Sequence, residues 1–262
     1  MNIKRVTSLD ADELSVYLGL NEKQLKRFYE PKIGLFICES EKVIRRALKA
    51  GYVAESYFVE EEKLDAVKSF CEENVTVYCA PYSVMKEITG YSLTGGILAA
   101  IKRKLLPELN DVLESNRKVV LLDDVENPTN VGAIFRSAAA LGADAVLLTE
   151  GCADPLYRRA ARVSMGTVFQ VDWSFIKKEQ VKEIQNAGFT LMALSLSDDA
   201  EELNRLSDVG EKRVVILGNE DHGISKEILD ICDKNIIIPM KQEVDSLNVA
   251  AASAVAFWEI FK

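Results

Sequence analysis

The sequence predicts an α/β protein in two parts: a C-terminal part built on a mostly parallel sheet, and a small α/β domain before it. Three observations carry this. A chain of 262 residues is long enough for two cores. Short apolar runs with strand character alternate with helical patterns along most of it. Some of the later runs, such as Val119-Val120-Leu121-Leu122 and Val214-Val215-Ile216-Leu217, are continuously apolar, as in strands buried on both faces.

In order, residues 10–28 read as a helix with Leu14, Leu18 and Leu25 on its apolar side, and 34–38 as a buried strand. Residues 43–50 read as a helix stopped by Gly51. Strands are expected at 57–59 and 75–78, with a helix at 63–71 between them and a further strand after Gly95-Gly96. Residues 102–117 are polar and carry Pro107, so 1–105 is taken as the first domain, 106–117 as a linker and 118–262 as the second domain. In that domain the pattern predicts a helix at 131–141 and strands at 145–148 and 167–171. It continues with a helix near 178–186, strands at 190–194, 214–217 and 236–238, and helices at 226–232 and 247–261.

Composition excludes several classes. Hydrophobic residues make up 48%, ordinary for a globular protein and too many for a disordered one. No apolar run reaches the roughly 18 residues of a membrane span, and the N-terminus has no signal-peptide pattern. Five cysteines without a CxxC pair, and the single His222, give neither a zinc site nor a disulfide framework. No metal is expected, and buried thiols suit a reducing, cytoplasmic setting. Formal charge is −9, with 16 bases and 18 acids in residues 1–115 and 16 against 23 in the remainder.

In parallel sheets, ligands collect at the loops leaving the carboxyl ends of strands. Three such loops are unusual. Residues 123–138 carry Asn127-Pro128, then Thr129 or Asn130 as a helix cap, then Arg136 on a small, apolar run. Residues 217–225 place Gly218 and Gly223 around Glu220 and Asp221, with Ser225 as a cap. Residues 236–250 end a strand at Pro239 and lead through Ser246, another candidate cap, into the small residues of the last helix. Each loop is also compatible with a plain strand-to-helix connection. None is a P-loop or a dinucleotide fingerprint, which excludes those nucleotide-binding classes.

In order and spacing the three loops resemble the three motifs of the SpoU (TrmH-like) class of RNA ribose methyltransferases. Asn130 to Ala138 is similar to the first, Leu217-Gly218-Asn219-Glu220 with Gly223 and Ser225 to the second, and Ile238-Pro239-Met240 with Ser246 to Ala250 to the third. The resemblance covers residues 117–262; more loosely, the first domain resembles an accessory domain similar to small ribosomal RNA-binding proteins. It implies transfer of a methyl group from S-adenosylmethionine to a ribose 2′-hydroxyl of structured RNA, ribosomal RNA before transfer RNA. It also implies a deep trefoil knot in the C-terminal domain, and a homodimer whose sites are completed across the interface.

The same resemblance places Leu217, Gly218, Ile238, Met240 and Leu247 around the cofactor. It places Arg136, Asn130, Glu220, Ser246 and Asn248 at the reacting centre, with Arg136 beside the ribose. Asp221 and Gln242 stand where the family often has glycine. With this charge balance, RNA contacts must come from local patches: Arg45, Arg46 and Lys49; Lys102 to Lys104; or Arg158, Arg159 and Arg162. A non-catalytic RNA-binding or assembly protein of the same fold, and an RNA base methyltransferase, are the competing readings.

Overall fold

The computed structural model describes residues 1–7, 14–18, 34–89, 95–197, 200–206, 209–242 and 246–261. The chain divides into two compact units, one of residues 1–105 with 156–169, the other of 106–155 with 170–262.

The first unit contains β1 (Asn2–Arg5), α1 (Ser15–Leu18), β2 (Leu35–Glu39), α2 (Glu41–Lys49), β3 (Ala54–Glu60), α3 (Leu64–Lys68), β4 (Thr76–Ala80), α4 (Tyr82–Thr89) and β5 (Ile97–Lys102). Its sheet order is β1-β4-β3-β5-β2, with β1, β4 and β3 parallel and β5 antiparallel to β3 and β2. Leu35, Ile37, Phe58, Leu98 and Ala100 on one face pack with Leu14, Val84 and Met85. Helix 10–28 of the sequence reading falls mostly, Leu25 included, outside the described residues, and only α1 of it is seen.

Residues 156–169, from the middle of the second sequence domain, belong to this first unit. They carry a short helix (Arg158–Val163) and a one-turn 3₁₀ helix (Thr167–Phe169). Phe169 packs on Phe36 and Tyr52, with ring centroids 5.8 and 5.2 Å away. Glu39 is buried at the end of β2, where it accepts hydrogen bonds from Arg158 Nε at 2.9 Å and Arg162 Nη1 at 3.2 Å. A buried carboxylate requires such partners. These arginines therefore serve the packing of the unit, whereas the sequence suggested them as an RNA patch.

The second unit contains α5 (Leu109–Ser115), β6 (Lys118–Leu122), α6 (Pro128–Leu141), β7 (Ala145–Thr149), β8 (Asp172–Ile176), β9 (Thr190–Leu194), β10 (Glu201–Glu202), β11 (Arg213–Leu217) and β12 (Lys234–Ile237). Helix Arg158–Val163 of the first unit is α7 in chain order, followed by α8 (Val181–Asn186), α9 (Lys226–Leu229) and α10 (Val249–Ile260). All pairings in the seven-stranded sheet are parallel, in the order β10-β12-β9-β11-β6-β7-β8. Helices α5, α8 and α9 bury one face through Val119, Leu121, Leu147, Val214 and Ile216. On the other, α6 packs along α10, and the two contact β7 and β11. Coverage of both faces explains the continuously apolar β6 and β11.

Two expectations are corrected. The proposed linker 106–117 contains α5, whose Leu109, Val112 and Leu113 at i, i+3 and i+4 are buried in the sheet core. The strand expected at 167–171 is the 3₁₀ turn; the strand follows at Asp172–Ile176, where Asp172 and Ser174 mask a run that buries Trp173 and Ile176. Among the described residues no helix is long and apolar enough to cross a membrane, and no group of side chains suits a metal ion. The cysteines are all free; burial pushes the thiols of Cys152 and Cys232 up to about 12, which keeps them unreactive.

Because α5 is part of the core, Leu113→Ala is expected to lower stability by about 2–4 kcal/mol in denaturant unfolding. In a solvated linker the same change would be nearly neutral.

Candidate functional site

The loops leaving β6, β9, β11 and β12 meet at the carboxyl end of the second sheet. After β6, the Asn127 side chain accepts the N–H of Thr129 at 2.9 Å and Pro128 opens α6. The cap is thus Asn127, two or three residues earlier than the expected Thr129 or Asn130. That leaves the Asn130 side chain, only 8% exposed, for other partners.

After β11 the chain makes a tight turn in which Asn219 and Gly223 exchange backbone hydrogen bonds of 2.9 and 3.0 Å. Gly223 has φ +71°, and a Cβ on Gly218 would stand 2.2 Å from the carbonyl carbon of Gly223. Both glycines are therefore required by the turn itself. The Asn219 side-chain oxygen accepts the N–H groups of Asp221 and His222, at 2.8 and 3.2 Å. Ser225 occupies the expected cap position of α9 without making a side-chain cap bond.

After β12, Asn248 caps α10 by accepting the N–H of Ala250 at 3.0 Å, in place of the expected Ser246, so the helix starts at Val249. Gln242 has φ +59°, the left-handed region that favours glycine. Asp221 is exposed at the tip of its turn.

The three sequence motifs are joined by side chains. Asn130 Nδ2 donates to Glu220 Oε1 at 2.5 Å, and Asn248 Nδ2 donates to Asn130 Oδ1 at 3.3 Å. Beside this chain lies a cavity of about 850 Å³, within the range of small-molecule sites. Leu217, Gly218, Ile238, Met240 and Leu247, the expected cofactor residues, all line it, as do Glu220, Ser246 and Asn248. Asn130 reaches this wall through its two hydrogen bonds. Ser195-Leu196-Ser197, following β9, also line it and were missed in the sequence. Their only signal was position, at the carboxyl end of a strand.

Arg136 is set apart. It is exposed on α6, six residues beyond Asn130, which on a helix is about 120° round the axis. It does not line the cavity. The basic residues 45 and 46 have partners within the first unit: Arg45 pairs with Glu41 and stacks over Phe70, and Arg46 donates to the carbonyl of Met165.

Charge concentrates at the turn that ends β6. Lys178 Nζ lies 2.7 Å from Asp124 Oδ2 and 3.4 Å from the buried Asp123. Burial raises the Asp124 carboxyl, but hydrogen bonds from Lys178 and Thr149 outweigh this and hold it below the usual carboxylate range.

Gln242→Val puts a β-branched residue at positive φ and should cost about 1–2 kcal/mol. Gln242→Gly, which removes that strain, should melt no lower than the parent protein in a thermal scan.

The fold and site match known proteins. The SpoU rRNA methylase family model matches residues 117–258. An uncharacterised tRNA/rRNA methyltransferase of Mycobacterium bovis is 33% identical over 99% of this chain and 92% of its own length. The 23S rRNA (guanosine(2553)-2′-O)-methyltransferase RlmP of Bacillus subtilis is 27% identical over 87% of this chain and 89% of its own. The crystal structure of an rRNA methyltransferase from Sinorhizobium meliloti with bound AdoMet superposes with a TM-score of 0.85 at 24% identity. That match covers 98% of this chain and 97% of that one. The motif residues, their convergence on one cavity and these matches agree: the chain belongs to the SpoU rRNA methylase family.

Proposed function

We propose that this protein transfers a methyl group to a ribose 2′-hydroxyl of structured RNA, with ribosomal RNA the favoured substrate. As a member of this family it is an S-adenosylmethionine-dependent RNA methyltransferase. The observation that carries the proposal is the hydrogen-bonded chain Glu220–Asn130–Asn248 along one wall of the cavity. The 2′-O specificity named for the Bacillus subtilis relative supports it.

The cavity suits the cofactor: Ile238, Met240 and Leu247 offer apolar surface for a base, and Gly218 brings backbone to the wall without a side chain. S-adenosylmethionine supplies a methyl group activated by a sulfonium. What remains for the protein is to hold the reactants in line and to ease loss of the hydroxyl proton. Glu220, Ser246 and Asn248 shape the reacting end, and Asn130 fixes Glu220 and Asn248 relative to each other. A guanidinium stays protonated, so Arg136 is assigned as an orienter of phosphate and 2′-oxygen rather than as a base.

The placement of Arg136 away from its own cavity fits a homodimer in which it serves the partner's site. Helix α10 packs along α6 yet leaves Val255 43% and Trp258 65% exposed, an apolar surface for a second copy. The first unit is assigned to RNA binding, in the cytoplasm. The C-terminal segment is taken to thread a deep trefoil knot, for which the small residues 250–254 allow close passage.

Three experiments test this. Methylated RNA digested to nucleosides should carry the label on ribose; label on a base, or none, would refute the proposal. Arg136→Ala should bind cofactor normally yet lose about 100-fold or more in kcat, measured at saturating RNA. Unchanged turnover at saturation would reduce Arg136 to a binding residue. Trp258→Glu should give a monomer in sedimentation, with activity lost alongside the dimer.

A further inference from the structure

Lys178 belongs to none of the three motifs, and it lies just beyond β8, away from the strands whose loops line the cavity. Its ammonium is nevertheless within 4 Å of three carboxylates: Asp124 at 2.7 Å, Asp123 at 3.4 Å and Glu227 at 3.7 Å. Asp123 and Asp124 form the turn that ends β6. Asp123 is 1% exposed, and Asp124 has φ +53°. Thr149 stitches the same turn, accepting the Asp124 N–H and donating to its carboxylate, both at 2.9 Å. Gly151 leaves the necessary room, since a Cβ there would stand 2.2 Å from Asp124 Oδ1.

From this turn two hydrogen bonds reach across to the loop after β11. Asp123 Oδ2 accepts the N–H of Ser225 at 2.7 Å, and the Asp124 carbonyl accepts Asn219 Nδ2 at 2.7 Å. These bonds hold the two ends of the segment, just after Gly218, that presents Glu220 to the cavity. Asn219 in turn shapes the tip through Asp221 and His222. Without Lys178, Asp123 and the strained Asp124 would keep their hydrogen bonds to Ser225 and Thr149 but lose their countercharge, and the turn would loosen.

We infer that Lys178 is a positioning residue of the methyl-transfer site: by neutralising Asp123 and Asp124 it fixes the β6 turn from which the Asn219–Ser225 loop is hung. The link to catalysis rests on the cofactor reading of the cavity; the anchoring of the loop does not. The charged or titratable groups around it are Asp123, Asp124, Glu227 and the buried thiol of Cys152. Burial acts to lower the Lys178 pKa, but the carboxylates of Asp124 and Asp123 keep it raised.

The test compares full-length Lys178→Met and Lys178→Arg with the parent protein. In hydrogen–deuterium exchange without ligand, amides 219–225 should exchange about tenfold faster in Lys178→Met, while α10 and β7 are unchanged, and Lys178→Arg should restore protection. In calorimetric titration with S-adenosylmethionine, Lys178→Met should bind about tenfold more weakly. Its affinity should also begin to fall at a higher pH than the parent's as the solution is acidified, because Asp124 then lacks the lysine that holds its carboxyl below the usual range. Unchanged exchange at 219–225 overturns the inference, as does uniform loss of protection that Arg does not rescue. Faster exchange with no cofactor binding even by the parent supports the anchor and refutes the cofactor reading instead. Should Lys178→Met not fold, Lys178→Gln removes the charge and keeps a donor to Asp124, and the same peptide decides.

Discussion

Three loops that leave separate strands must be held in register for this site to exist, and the Asn130 side chain ties them together. It is nearly buried and uses both ends of its amide, donating to Glu220 and accepting from Asn248. A neutral group with one donor end and one acceptor end is needed here. A carboxylate would repel Glu220, and an aliphatic side chain would leave two polar partners facing each other without a bridge. The cap of α6 at Asn127 matters for the same reason. Had Asn130 been used as the cap, its amide would be spent on the helix terminus. The N-terminal turn of α6 and that of α10 are thus tied through side chains that local helix capping leaves free, Asn248 serving both tasks with its two ends.

That bridge is possible only because of the sheet order. β12, β9, β11 and β6 are adjacent in space but are the seventh, fourth, sixth and first strands of the unit along the chain. Every pairing is parallel, so all four carboxyl ends open on the same side. The sheet reverses its direction of growth near β6 and β11, where crevices form in such folds. Coverage of both faces by helices then prevents the loops from being drawn into a second sheet or an edge contact.

Much of this was legible in the sequence, and the exceptions have physical causes. The apolar strands β6, β7 and β11 announce themselves because a strand buried on both faces has no polar alternation to obscure it. β8 does not, since Asp172 and Ser174 interrupt its buried Trp173 and Ile176. Helix α5 was hidden by its polar outer face and by Pro107, which in fact sits before the helix, where proline is harmless. The excursion of residues 156–169 into the first unit could not be read at all. It rests on contacts far apart in the chain: Phe169 against Phe36 and Tyr52, and arginines that look like a surface patch paired with the buried Glu39 more than a hundred residues earlier. Within the site, the motif residues were visible as a set, but their connections were not: a hydrogen bond between residues 130 and 220 leaves no local trace.

The two departures from the family's glycines illustrate how differently a sequence change can act. At Gln242 the backbone is left-handed, so a glycine there would answer a conformational need that a glutamine meets with some strain. The departure therefore concerns the backbone at residue 242 more than the space for a ligand. Asp221 is the reverse case. Its backbone N–H is tied to Asn219, its conformation needs no glycine, and its carboxylate is exposed at the rim of the cavity. A negative charge there leaves the turn intact and acts on what approaches it. For a polyanion such as RNA that is a repulsive element, and it narrows which phosphate positions can come near the rim. Of the two, Asp221 places charge at the rim of the cavity, while Gln242 places strain in the backbone.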